Sequence, residues 1–449
     1  MNRLNRPTGN IFALALAGLV MLPGAAWSAN LGEIHQLARD NDARYAAARE
    51  AFKAGQERLP QGRAGLLPSL TLSANTRRNE TRNSGGGSEF TSRGYSLALV
   101  QPLYRKQNLE AWQQGKLLAL RAEQELRLAE QDLALRVAVA YFDVLLAEDA
   151  LATAQAQKQA IGQQLAQARM SFEVGAATIT DTHEAQARFD LTTAQEIVAR
   201  NDLDVKLRAL EKLIGRDAPV LARLAENAAM PLPEPNDMRV WVDQAERDGL
   251  PVALNQSALE LARRELERQR GGHHPTLDLA AAYSDNRNTS VSGVVVGGGG
   301  GSYTRSTTVG LELALPLYQG GLVVSRVREA LALRDKARHD LDEARRQARL
   351  DARQSFLGVL SGNAQTQALE QALVSSEAQL KSTLLGLEVG VRTRVDVLNA
   401  QQQLFTTRRD LAAARYQTLV NGLRLKAAAG SLDADDLAAL DALLREGGR

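Results

Sequence analysis

Cysteine is absent from the 449-residue chain, which excludes a disulfide framework, thiolate metal sites and any Cys-linked lipid anchor. Aromatic residues make up only 4%, too few for the usual β-sandwich core. The 12 prolines are clustered, so long stretches carry no helix breaker. Net charge is only +2, without the basic excess of a nucleic-acid binder. Beyond residue 22 no long uncharged apolar run occurs, so the later sequence offers no transmembrane helix. What remains is rich in Ala, Leu, Gln, Glu and Arg, with 44% hydrophobic and 24% charged residues, a composition that favours long helices. The length alone would allow two or three domains.

Residues 1–29 read as an export signal. Arg3 and Arg6 precede an apolar stretch at 11–22, and Ala26-Trp27-Ser28 has the small-x-small pattern of a cleavage site. The rest of the chain is expected to leave the cytoplasm.

Two copies of one unit follow. FEVGAATITD around Asp181 is echoed by LEVGVRTRVD around Asp396, and Asp181/Asp396, Gly215/Gly430 and Tyr141/Phe356 are each 215 residues apart. A constant offset over such distances marks an internal structural repeat. The first repeat is expected over 30–216 and the second over 238–430. Between them lies a proline-rich linker, 217–237, and after them a tail, 431–449, with a short helix at 433–445.

Each repeat opens on a helix, 31–63 and 238–270. Each continues into period-two alternation: Leu70, Leu72 and Ala74 then Tyr95, Leu97 and Leu99 in the first, and Leu277, Leu279, Ala281 and Tyr283 then Val309, Leu311, Leu313 and Leu315 in the second. Such alternation predicts β-hairpins at 69–102 and 276–316 with one apolar face, made of strands of about ten residues, the length that crosses a membrane. Polar, glycine-rich loops are expected at 79–89 and 286–302. Soluble hairpins packed on helices would show the same pattern. Four strands cannot close a barrel, and open strand edges are not tolerated in hydrocarbon. Membrane hairpins would therefore need several chains, eight strands from two copies or twelve from three, and the pattern leaves that choice open.

Very long helices follow at 103–171 and 318–386, near 100 Å each at about 1.5 Å per residue. Leu126, Leu133 and Ala140 form one heptad seam, and Leu128, Leu135 and Phe142 form a second. Two seams allow neighbours on both sides. Gly175 and Gly390 suit the ends of these helices, and Thr178 and Thr393 suit the caps of the returning helices, 178–215 and 393–429.

The motifs LLPSL, VQPLY, AYFDVL, FEVGAATITD, HPTLDL, LPLYQGG, LEVGVRTRVDVLNA and AAAGSLDADDL occur in that order. Through them nearly the whole chain resembles the TolC family of outer-membrane channels. The resemblance implies a mainly α fold: a membrane β-barrel of four strands per chain, twelve in a homotrimer, continued by a long α-helical barrel through the periplasm of a Gram-negative bacterium. It implies an exit duct for proteins or drugs, set in outer-membrane lipid. The duct would be opened by a periplasmic adaptor and an inner-membrane ABC exporter or proton-driven pump, with no cofactor, metal or nucleic acid.

The resemblance also implies site residues. Val174, Gly175 and Thr178, with Val389, Gly390 and Thr393, match the adaptor-docking tips, although ordinary capped turns would read the same way. Arg392 and Asp181 match a link that closes the tunnel end, beside Thr180, while Leu387 stands where that pattern has an aromatic partner. Asp396 matches one position of an acidic constriction, and Asn399 replaces the second acid. Cation block weaker than that of a doubly acidic ring is therefore expected, and Asn399→Asp is expected to strengthen it.

Catalysis finds no support. His273-His274 lacks a second histidine pair or a cysteine and reads as a polar turn, and the glycine run 297–301 lacks the Lys-Ser/Thr of a phosphate loop. Two other readings share parts of the pattern. A periplasmic adaptor would carry one helical hairpin between lipoyl-like halves, and a coiled-coil scaffold would wash off membranes in high salt.

Overall fold

The computed structural model describes residues 28–83, 86–225, 228–291 and 301–445. Nearly all of the expected export signal, and the glycine run 297–301 up to its last residue, lie outside them. The chain runs α1 (Leu31–Asn41), α2 (Ala43–Gln56), α3 (Arg58–Ala64), β1 (Ser69–Asn83), β2 (Gly86–Tyr104), α4 (Lys106–Glu173) and α5 (Ile179–Ile214). The second half follows as β3 (Arg223–Leu224), α6 (Met238–Asp248), α7 (Leu250–Arg270), β4 (Thr276–Val291), β5 (Ser302–Ala314), α8 (Leu322–Glu388), α9 (Arg394–Ala428), α10 (Ala434–Asp441) and β6 (Leu444–Arg445).

The opening helix of each half is broken, contrary to the single helices expected at 31–63 and 238–270. Asp42 interrupts the first, because its carboxylate accepts the Tyr45 N–H at 2.8 Å and restarts the helix as a new cap. Arg136 of α4 pairs with that carboxylate at 3.0 Å, fixing the break against the long helix. Gly249 interrupts the second, where Pro251 lacks the N–H that a continuous helix would need.

Four strands form one antiparallel sheet in the order β1-β2-β4-β5. Its register places Leu72 beside Leu97, Leu97 beside Tyr283, and Leu279 beside Leu311 on one face. That face is apolar yet open, with Leu72, Leu311 and Leu313 each at least 67% exposed. The opposite face is polar: the Ser73 and Ser96 hydroxyls meet at 2.7 Å, and Arg105 grips Asp278 through two bonds of 2.8 and 2.5 Å. The strands are 13 to 19 residues long rather than about ten. The described parts of the stretches expected as loops are mostly strand, since β1 and β2 pair out to Asn83–Gly86 and β4 continues to Val291, while 292–300 lie outside the described residues. Paired polar residues such as Arg78 and Glu89 build these extensions, and they carry no apolar alternation to betray them.

The long helices hold 68 and 67 residues, roughly 100 Å each. α4 begins after 103 because β2 runs on to Tyr104, and α8 begins after 318 because Gly320 and Gly321 take φ of +59° and +80°. Toward the hairpin turns the helices form a layer in the order α5-α4-α9-α8, and toward the sheet α4 and α8 flank α7. Gly115 is where α3 crosses α4: a Cβ there would stand 2.6 Å from the Arg58 carbonyl oxygen.

A buried collar girdles the middle. Tyr141 and Phe142 of α4 pack edge to face, and Phe142 stacks on Tyr416 of α9 at 5.7 Å, joining the two halves. The Tyr141 hydroxyl donates to the Ala222 carbonyl at 2.7 Å, and burial pushes its pKa up. Its repeat partner Phe356 packs with Trp241 and Leu425. The linker is not free, as β3 within it pairs with β6 of the tail. The tail helix is shorter than expected, and Asp441 at its end accepts the Leu31 and Gly32 N–H groups at 2.7 and 3.0 Å.

Candidate functional site

The two helix reversals at the far end of the layer are built alike. After α4 the Gly175 N–H donates to the Phe172 carbonyl (3.0 Å) and the Ala176 N–H to the Ser171 carbonyl (2.7 Å). After α8 the Gly390 N–H donates to Leu387 (3.1 Å) and the Val391 N–H to Gly386 (2.8 Å). Both are Schellman closures, and both need a left-handed residue, with φ of +75° at Gly175 and +79° at Gly390. Three residues on, Thr178 and Asp181 form a reciprocal capping box, and Thr393 and Asp396 form its twin. Each reversal is thus fixed at both ends by backbone geometry. Apolar side chains crown them: Val174 is 79%, Val389 66% and Val391 75% exposed.

The capping boxes also set the carboxylates. Asp181 Oδ2 accepts the Thr178 N–H and hydroxyl at 3.0 Å each, and Asp396 Oδ2 accepts those of Thr393 at 2.9 Å each. The Thr393 N–H and hydroxyl hold the Asp396 carboxyl below the usual range, helped by the charge of Arg392. Arg392 and Asp181 form no ion pair within the chain among the described residues; the Arg392 stem lies over Gly386 instead. Thr180 is exposed beside Asp181.

Two contacts between the halves were not visible in the motifs. Arg394 donates to the Ser171 hydroxyl at 2.6 Å, tying the start of α9 to the end of α4. Arg188 of α5 donates to Asn399 Oδ1 of α9 at 2.9 Å and lies 3.8 Å from Glu184, one turn before it. Glu184 is the repeat partner of Asn399, so one arginine bridges equivalent positions of the two halves. The repeat offset applied to Asn399 would have led to this neighbourhood. A narrow crevice between α5 and α9 is lined by Asp181, Glu184, Arg394 and Leu398.

Elsewhere, His274 Nδ1 lies 3.2 Å from the Tyr104 hydroxyl at the junction of sheet and helices. Among the described residues no group of His, Asp or Glu is arranged to hold a metal ion, and no helix is long and apolar enough to cross a membrane.

The layer of long helices, the four-stranded sheet and the twin reversals meet a known pattern. The profile of the family described as outer membrane efflux protein matches residues 34–216 and 244–431, one segment in each half. The chain belongs to the outer membrane efflux protein family. Outer membrane protein TolC of Escherichia coli K12 is 34% identical over 437 residues, covering 96% of this chain and 87% of its own. The alkaline protease secretion protein AprF of Pseudomonas aeruginosa is 32% identical over 434 residues, covering 94% and 88%. The crystal structure of the outer membrane protein VceC from Vibrio cholerae shares the fold, with a TM-score of 0.74 over 89% of this chain and 96% of that one, at 17% identity.

As a member of the outer membrane efflux protein family, the chain is an outer-membrane channel-tunnel of export systems, with a large periplasmic helical part. Proteins of this family are channels, not enzymes. Channels of this kind serve efflux and secretion systems and work with adaptors and inner-membrane pumps. The match in both halves sets aside a periplasmic adaptor and a free coiled-coil scaffold.

Proposed function

We propose that three copies of the chain close into one conduit, a twelve-stranded barrel continued by a helical tunnel. The open edges of the protomer carry this reading. β1 and β5 each have one free side in the sheet order, and a free edge cannot persist in lipid. At the helical end the outermost helices are α5 and α8, and both bear exposed apolar residues. Leu191, Val198 and Val205 of α5 recur every seven residues at 55–68% exposure, and Leu350 and Leu357 of α8 are spaced likewise. β5 of one copy next to β1 of another, and α8 next to α5, would cover all of these. Three copies rather than two follow from the family resemblance.

The reversals are the end at which the conduit meets its adaptor and pump. The exposed valines, on turns fixed by backbone bonds and capping boxes, offer an apolar docking edge at reduced entropic cost. Thr180, Asp181, Arg392, Asp396 and Asn399 form the entrance. Because Arg392 and Asp181 form no ion pair with each other among the described residues of one chain, their link would run between neighbouring copies. Breaking it would let the inner helices relax outward. In planar bilayers Arg392→Ser or Asp181→Ala should raise single-channel conductance; unchanged conductance in both would remove these residues from the gate. The cargo is proteins or drugs handed over by the pump, as the protease-secretion relative illustrates for its own case. Comparing exoprotein content with drug sensitivity in a deletion strain separates the two.

A further inference from the structure

The apolar face of the sheet does not end in neutral residues. Two positions beyond Tyr95 and its partner Asp285, Arg93 of β2 stands directly opposite Arg287 of β4, on the same face as Leu97 and Tyr283. Like charges directly opposed across a ladder repel. Arg93 makes no ion pair with a described residue. Arg287 and Arg305 of β5 share one buried carboxylate, Asp285, each at 3.5 Å, and both guanidinium groups lie about 5.5 and 5.4 Å from the Tyr303 ring. The Asp285 side chain is 3% exposed, whereas those of Arg287 and Arg305 are 70% and 57% exposed. The carboxylate and the ring orient the two arginines, and the trio of arginines keeps a net charge of +2 after Asp285 is counted. Beneath them lie Tyr95 and Tyr283, 6.1 Å apart, and then the leucines.

We propose that Arg93, Arg287 and Arg305 form a binding site for the phosphorylated sugar headgroup of an outer-leaflet lipid, whose acyl chains lie on the apolar face below. Several features select this occupant. The site is at the hairpin end, away from the periplasmic helices, and is continuous with the apolar band. Arginine pairs with phosphate oxygens through two parallel bonds, and one phosphate between Arg93 and Arg287 turns their repulsion into attraction. Arg93 and Arg287 sit on the two central strands, so strand addition at either sheet edge leaves them uncovered. A soluble anion would use the charges but not the leucines and tyrosines beside them. The inference rests on the outer-membrane assignment and on the apolar face being the lipid face.

The test uses the full mature protein purified in neutral detergent, with binding read by native mass spectrometry. Bisphosphorylated lipid A should bind at least about tenfold more tightly than its dephosphorylated form, and the preference should weaken with salt. Arg93→Gln/Arg287→Gln should abolish the preference, while the single Arg93→Gln should reduce it. Equal affinity for the two lipids, or an unchanged preference in the double variant, would overturn the proposal. Displacement of the lipid by equimolar inorganic phosphate would do so too, since it would mark a simple anion site. Should the double variant fail to assemble, the single variant and the wild-type lipid comparison decide alone. Bilayer conductance of the same preparations separates the two readings: a conducting wild type without lipid preference sinks only this site, and a wild type that does not conduct sinks the conduit.

Discussion

In the proposed entrance, Arg188 sets how charge is distributed. Its bond to Asn399 and its approach to Glu184 put a positive group beside the position where the family resemblance implies a second acid. This changes the expectation for Asn399→Asp. The new carboxylate would pair with Arg188 at once and add little to cation block. Asn399→Asp combined with Arg188→Gln should strengthen divalent-cation block about tenfold in planar bilayers, while Asn399→Asp alone should shift it less than about threefold. Equal block in the single and double variants would show that Arg188 does not neutralise the site. Since capping holds the Asp396 carboxyl below its usual range, block by the native channel should stay flat from about pH 7 to about pH 5.

At the level of single elements, α7 is clamped to α4 by Glu265. Burial alone would raise its pKa, but bonds from Arg268, Gln114 and Gln269 hold it at about 2 against an ordinary 4.5. A depressed carboxyl pKa stabilises the fold above about pH 4.5, and the contribution disappears as pH falls toward about 2. Glu265→Gln should therefore cost about 1 kcal/mol near neutrality, discounted for solvent exposure, and flatten the acid limb of the melting temperature against pH. An unchanged acid limb would count against the clamp. The sheet carries its own test. Leu97→Arg on the apolar face should cost about 2–4 kcal/mol and sharply reduce recovery in the outer-membrane fraction, while Ser96→Arg on the polar face should be tolerated. Equal recovery would mean that the faces are misassigned. Much of this architecture was legible in the sequence. The repeat offset shows as the same motif twice, and the capping threonines, the glycines with positive φ and the alternation at Leu70–Leu72 or Val309–Leu313 belong to short windows where local chemistry decides conformation. Gly249 and Pro251 do mark the second helix break in the sequence, against the single helix expected there. The break at Asp42 was not legible, because an alanine-rich pattern runs through it and only a cap interrupts it. Nor were the strand extensions beyond the apolar band, the two-residue pairing of β3 with β6, or the Arg188–Asn399 bond, which joins residues 211 apart. Those depend on what the folded chain brings together.

For the molecule as a whole, the proposed conduit makes each protomer one sector of a wall, with four strands, a helical layer and apolar side chains exposed along both margins. Among the described residues nothing covers those margins. The resemblance in the sequence reached the channel architecture, because the repeat and the strand count are properties of one chain. The number of copies that close the wall lies outside any single chain. The most direct test is the mass of the mature protein purified in detergent, by native mass spectrometry or light scattering corrected for bound detergent, starting from a full-length chain of 48.6 kDa. A particle of three chains, dependent on detergent for solubility, is the predicted result. A monomer that stays in solution without detergent would contradict the account.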